Sequence, residues 1–256
     1  MTNDTTNNAS PGLYKQLFAL DRERHADLKL LPSSDRSFAA DLLLIPIVNN
    51  EFGDTCREYP IVFLRDAGQT LIAVALAGVP NGKNLFVDAD GQWQAGYIPA
   101  FVRRHPFVFI KTSPEQLTVC IDEASKALSR TEGTPLFATD GAQTPLLEKI
   151  IADLSAYEQQ AQFTLSFVQR LEATGVLVTA SAQAELDGNK LVINDLLMVD
   201  ENKLRALPEA TIKEWFTSGE LGLIYAHLIS LGNFVALLRR QSRLGATGTS
   251  PSSASN

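Results

Sequence analysis

The spacing of apolar residues changes about half-way along the chain, and the change predicts strands first and helices later. Residues 42–48 (LLLIPIV) and 60–64 (PIVFL) are short, bulky apolar runs of strand length. Residues 70–77 (TLIAVALA) are apolar nearly throughout, which predicts a strand covered on both faces. Asn81-Gly82 and Asp90-Gly91 tolerate the positive φ of tight hairpin turns and bracket a further strand at 83–88 (KNLFVD). Residues 107–111 and 116–121 add two strands around a polar turn containing Pro114. Short helical segments are expected at 50–57, 99–104 and 123–128.

From Thr144 onward the period becomes helical. Thr144 is an N-cap and Pro145 fits the first helical position. Leu147, Ile150, Ile151, Leu154, Tyr157, Ala161, Leu165, Val168 and Leu171 then recur at three- and four-residue steps before Gly175. Strands follow at 176–180, 182–186 and 190–199, with Asp187-Gly188 turning the last pair. Pro208 opens a helix closed by Gly219, and a last helix runs over 220–243, its arginines Arg239, Arg240 and Arg243 complementing the negative end. Segregated strands and helices imply an α+β fold, mostly antiparallel sheet in the first half packed with long helices from the second. One domain is expected over 12–243, with disordered polar tails at 1–11 and 244–256.

Composition narrows the function classes. Twenty-two Lys and Arg face twenty-nine Asp and Glu, a net charge of −7, so no global positive field draws in nucleic acid. Cys56 and Cys120 are far apart and outside any CxxC spacing, so neither a disulfide framework nor a zinc cage is encoded. Residues 1–10 lack the basic start and apolar middle of a secretory signal, and a cytoplasmic location is expected. The longest apolar stretch, 221–238, is interrupted by His227, Ser230, Gly232 and Asn233 and is expected to be a buried helix, not a membrane span. No glycine-rich phosphate loop, GxSxG elbow or HExxH motif occurs.

The remaining chemistry is local, and each pattern has a structural reading beside the functional one. His25-Ala26-Asp27 is an HxD pair that, with His105 or His227 as third ligand, supplies an iron site with open positions; the alternative is a surface strand or loop in which His25 bonds a neighbour. Arg103, Arg104 and His105 cluster at the end of the short helix after Tyr97. Tyr97, Arg103 and Arg104 are therefore candidate ligand-binding residues, the arginine forks suiting carboxylate or phosphate. Against this, the arginines complement a helix C-terminus or pair with Asp88, Asp90 or Glu58. His227 is read as a buried, neutral histidine satisfied internally. Asp122-Glu123 offers acid–base carboxylates, a helix N-terminus being the simpler account.

The ordered blocks LDRERHADLKL (20–30), EYPIVFLRD (58–66), NLFVDADGQWQAGYIPAFVRRHPFVF (84–109), CIDEAS (120–125) and LIYAHLISLGNF (223–234) resemble the SapC family associated with bacterial surface layers, over nearly the whole folded region. No established reaction comes with that resemblance. It implies a non-enzymatic accessory or binding protein without cofactor, acting on a protein or peptide partner that is surface-layer, exported or outer-membrane. The alternative is an oxygenase-like metalloenzyme with iron on His25, Asp27 and His227 and a 2-oxo acid cosubstrate.

Overall fold

The strand-then-helix order read from the pattern is the order found in the computed structural model, which describes residues 13–80, 82–113, 116–186 and 189–247. Its elements are β1 (Leu17–Ala19), β2 (Lys29–Leu30), β3 (Leu44–Pro46), α1 (Phe52–Thr55), β4 (Ile61–Arg65), β5 (Leu71–Leu76), α2 (Ala100–Arg103), β6 (Phe107–Ser113), β7 (Gln116–Asp122), β8 (Leu128–Ser129) and β9 (Thr134–Pro135). There follow α3 (Pro145–Ala173), β10 (Leu177–Leu186), β11 (Asn189–Val199), α4 (Glu201–Arg205), α5 (Glu209–Ser218), α6 (Glu220–Ser230) and α7 (Asn233–Thr247). Strand pairing in its sheets is antiparallel, and the fold is α+β.

The chain gathers into two compact units, each drawing on both halves of the sequence. One comprises Met1–Asp41, Val87–Gln94 and Ile98–Ala161, the other Leu42–Phe86, Ala95–Tyr97 and Gln162–Asn256. In the first unit, the sheets β1-β7-β6 and β8-β2-β9 surround a core of Leu28, Phe107, Ile121, Leu136, Leu147 and Leu154. The opening turns of α3 close this core through Leu147, Ile150, Ile151 and Leu154, the stripe its period implies. Each fully buried leucine there contributes about 1.5–3 kcal/mol. Thr144 caps the helix, its Oγ1 accepting the Leu147 N–H at 3.4 Å.

In the second unit a five-stranded sheet has the order β10-β11-β4-β5-β3. β5 lies between β4 and β3, and Ala73, Val74, Ala75, Leu76 and Ala77 are all buried, so the polar–apolar alternation of a half-exposed strand is absent. Phe167, Val168 and Leu171 from the end of α3, Ile224 from α6, and Phe234, Leu237 and Leu238 from α7 are buried in the same unit. Gly219 ends α5 with φ at +82°, a left-handed position that glycine takes without steric cost.

Four local expectations are corrected. Residues 83–88 form no strand, only the bridges Gly78 to Asn84 and Val87 to Trp93, because Asn84 Oδ1 takes the Phe86 amide and Asp88 Oδ1 the amides of Asp90 and Gln92. Of residues 123–128, expected to be helical, 123–127 form turns and Leu128 begins β8, since the Asp122 and Ser125 side chains accept the Ala124 and Ala127 amides. β10 is one strand with an irregularity between Ala180 and Ala182. The expected last helix is two, α6 and α7, bent by 42° about Leu231 and Gly232. The apolar pattern does not mark the short helix α4, which the Asp200 carboxylate caps by accepting the Asn202 and Lys203 amides. Asn81, Pro114, the Asp187-Gly188 turn, the expected tail 1–11 and residues 248–256 of the expected tail 244–256 lie outside the described residues, whereas α7 continues to Thr247 and takes in the first four residues of that tail. Among the described residues no single helix is long and apolar enough to cross a membrane.

Candidate functional site

The register of the β6–β7 hairpin decides where the site forms. Phe107 pairs with Ile121, the Asp122 amide donates to Pro106 O at 2.9 Å, and His105 is thereby brought beside Asp122. His105 Nε2 lies 3.4 Å from Asp122 Oδ2, and the His105–Pro106 peptide is cis. Asp122 also accepts the amides of Lys15 at 3.0 Å, Gln16 at 2.8 Å and Ala124 at 3.2 Å, so this carboxylate fixes the approach of the chain into β1. The His105 ring stacks on Phe38 with centroids 3.8 Å apart, and its side chain is 3% exposed. Burial pushes the imidazole below its ordinary value, with the Asp122 hydrogen bond and charge opposing. At neutral pH the ring is therefore neutral. With its proton assigned to the nitrogen facing Asp122, Nδ1 is left as a buried acceptor, and it has no partner.

Next to this dyad the segment before Phe38 supplies a second polar group. Arg36 Nη1 donates to the carbonyls of Ser33 and Asp35, both at 3.0 Å, while its Nε is buried without a partner. The Arg36 amide donates to Gly91 O at 2.7 Å; Gly91 has φ at +76°, and a Cβ there would meet Asp35 Oδ1 at 2.3 Å, so only glycine fits. The Asp35 carboxyl is held below its usual range, foremost by the Ser37 amide at 2.7 Å.

These groups line a cavity of about 290 Å³. Lys15, Arg36, Arg103 and Lys126 contribute positive charge against Asp35 and Asp122, and Leu13, Leu30, Leu31 and Phe38 form apolar wall. Asp122 is already occupied by backbone donors. In a chain of net charge −7 this is a locally cationic concavity, suited to one small anion. A larger cleft of about 690 Å³, lined by Leu20, Leu117, Val119, Phe137 and Ile151 beside Asp21 and Arg22, has no comparable surplus of cations.

Of the expected ligand-binding residues, Arg103 lines the cavity and also donates from Nε to Ile98 O at 2.8 Å. Arg104 does not line it. Its guanidinium sits 4.4 Å and 4.6 Å from the ring centres of Phe101 and Tyr157, with Glu158 at 4.0 Å. Tyr97 belongs to the other unit, where its hydroxyl donates to Glu51 Oε1 at 2.6 Å. Two of the expected carboxylate partners are otherwise engaged: Glu58 accepts the Gly96 and Tyr97 amides, and Asp88 closes its own turn.

His25 is not on the surface; it is fully buried. The Asp21 amide donates to its Nδ1 at 2.9 Å and Nε2 lies 2.9 Å from Glu123 Oε1. Glu123 also takes two bonds from Arg24, and chiefly through these its carboxyl is pulled down to about 2. Asp122 and Glu123 therefore cap no helix; one anchors amides and His105, the other pairs with Arg24 and His25. Asp27 is paired with Arg130. His227, in the second unit, donates from Nδ1 to Ile61 O at 2.8 Å and accepts the Val199 amide on Nε2 at 3.1 Å. Among the described residues no three His, Cys, Asp or Glu side chains are placed to share one metal ion, and both cysteines are free thiols.

The family model described as SapC matches residues 20–237, which include Arg36, Arg103, His105, Asp122 and Lys126. No curated protein and no solved structure shows a significant match.

Proposed function

The chain belongs to the SapC family, and on that premise we propose that it is a non-enzymatic accessory or binding protein that holds the carboxylate of a protein or peptide partner in the cavity around Arg36, Arg103 and His105. The observation that carries this reading is the surplus of Lys and Arg on that cavity, with Asp122 satisfied by backbone amides. Arginine's planar fork favours a carboxylate, and a cavity of about 290 Å³ lies at the small end of the roughly 300–1,000 Å³ range of ligand sites. It takes the end of a chain, not a folded surface. The partner expected from the family label is a surface-layer or exported protein, met before it leaves the cytoplasm.

Calorimetric titration with acetyl-Ala-Ala and with its C-terminal amide tests the reading. The free acid should bind and the amide should bind at least tenfold more weakly; R103Q should weaken the acid and leave the amide unchanged. Equal binding of the two, or none by either, contradicts the reading. So does stoichiometric iron in protein purified without a metal-affinity tag.

A further inference from the structure

Two buried polar atoms on residues that line the cavity are left unsatisfied by the protein itself, and they are of opposite kind. Arg36 Nε carries a hydrogen with no acceptor, and His105 Nδ1 carries a lone pair with no donor. Leaving either without a partner on burial costs on the order of 1–3 kcal/mol. His227 shows that this fold can satisfy a buried imidazole at both nitrogens.

We propose that the ligand of this cavity is a peptide C-terminus, its terminal carboxylate taken by the arginines and its last amide N–H donated to His105 Nδ1. This rests on the carboxylate reading above and adds the second contact. A carboxylate alone supplies acceptors for Arg36 and Arg103 but nothing for Nδ1. A phosphate monoanion supplies a donor and acceptors on one atom, without the apolar body that Leu13, Leu30 and Leu31 would cover. A chain terminus has the required order: carboxylate, a short side chain, and an N–H one carbon further back. Asp122 sets the selectivity by holding His105 with its other nitrogen, so that the imidazole presents a lone pair and not a proton. A site that hydrogen-bonds a ligand N–H discriminates strongly against the analogue lacking it, because the acceptor is then left buried and unpaired.

The test replaces that one N–H. Acetyl-Ala-Ala is compared with acetyl-alanyl-lactate, in which the last amide N–H is an ester oxygen and the carboxylate is unchanged. The unaltered protein should bind the ester roughly tenfold more weakly, the scale of one buried hydrogen bond. H105Q, whose amide reaches Asp122 as Nε2 does but offers nothing at the Nδ1 position, should bind both ligands alike, at the affinity the unaltered protein has for the ester. Because the two-ligand comparison is made on the unaltered protein, it stands even if H105Q fails to fold. Equal affinity for peptide and ester overturns the inference while leaving the carboxylate reading intact. Free lactate binding as tightly as acetyl-Ala-Ala overturns it in favour of a small hydroxy acid. No binding by any of the carboxylates defeats the reading beneath it.

Discussion

His105 and His227 are both buried side chains beside a strand, one in each compact unit, yet they are used in opposite ways. His227 has no spare nitrogen: one donates to Ile61 O in β4 and the other accepts the Val199 amide at the end of β11, so the ring ties α6 to two strands. Ser230, one turn further along, donates to His227 O and accepts the Ile61 amide. His105 spends one nitrogen on Asp122 and keeps the other. Burial lowers the proton affinity of both, to about 4 for His227. Burial and a lowered pKa are therefore common to both rings, and what separates them is the number of satisfied nitrogens.

The sharpest break in this comparison is expected from H227A. It leaves the Ile61 carbonyl and the Val199 amide buried without partners and opens a cavity, a loss of about 3–5 kcal/mol. H105Q, which orphans no backbone group, should cost under about 1.5 kcal/mol. Urea unfolding of both variants checks the contrast, and equal losses would erase it. The second effect is acid sensitivity. His227 is neutral in the fold down to about 4 but titrates near 6.5 when unfolded, so the unfolded chain binds the extra proton between those values. Stability from this group is complete above 6.5 and falls as the pH drops towards 4, by up to about 3 kcal/mol. Unfolding midpoints measured from pH 7 to 4.5 should fall in the unaltered protein and in H105Q, and a flat profile would contradict the assignment.

Glu123 has the opposite profile in the first unit. Its carboxyl is lowered to about 2, so its contribution is present above its ordinary value near 4.5 and fades as the pH falls through 2. The Arg24 side of the pair is half exposed, so E123Q should cost only about 1 kcal/mol at pH 7. Its loss should shrink as acid is added, which urea curves at pH 7 and 3 can show. The smallest expected effect is T144A, about 0.5–1 kcal/mol, through the loss of the cap on α3.

How much of this was legible follows from the same physics. Long periodic segments read directly: α3, β5 and the β6–β7 pair have enough residues for their spacing to show. β1, β2, β8 and β9 do not, being two or three residues long. The misread segments at 83–88 and 123–128 carry Asn84, Asp88, Asp122 and Ser125, whose side chains took the backbone amides that a strand or helix needed. Within the site, Arg103 is legible from its sequence neighbours. The His105–Asp122 pair is legible only through strand register, since antiparallel pairing of the two expected strands carries His105 to Asp122. Arg36, Phe38 and Lys15 had no signal, because they reach the cavity from short irregular segments with no period to read.

The most direct measurement is the imidazole ¹⁵N spectrum of the uniformly labelled protein at pH 7, with and without acetyl-Ala-Ala. His105 and His227 should be neutral rings, and of the three histidines only His105 should have a nitrogen free of hydrogen bonding. On adding the peptide that resonance should move to the position of a hydrogen-bonded acceptor, while those of His25 and His227 stay in place. A bound peptide that leaves the His105 nitrogens unmoved, or a His105 protonated at Nδ1 in the free protein, would contradict it.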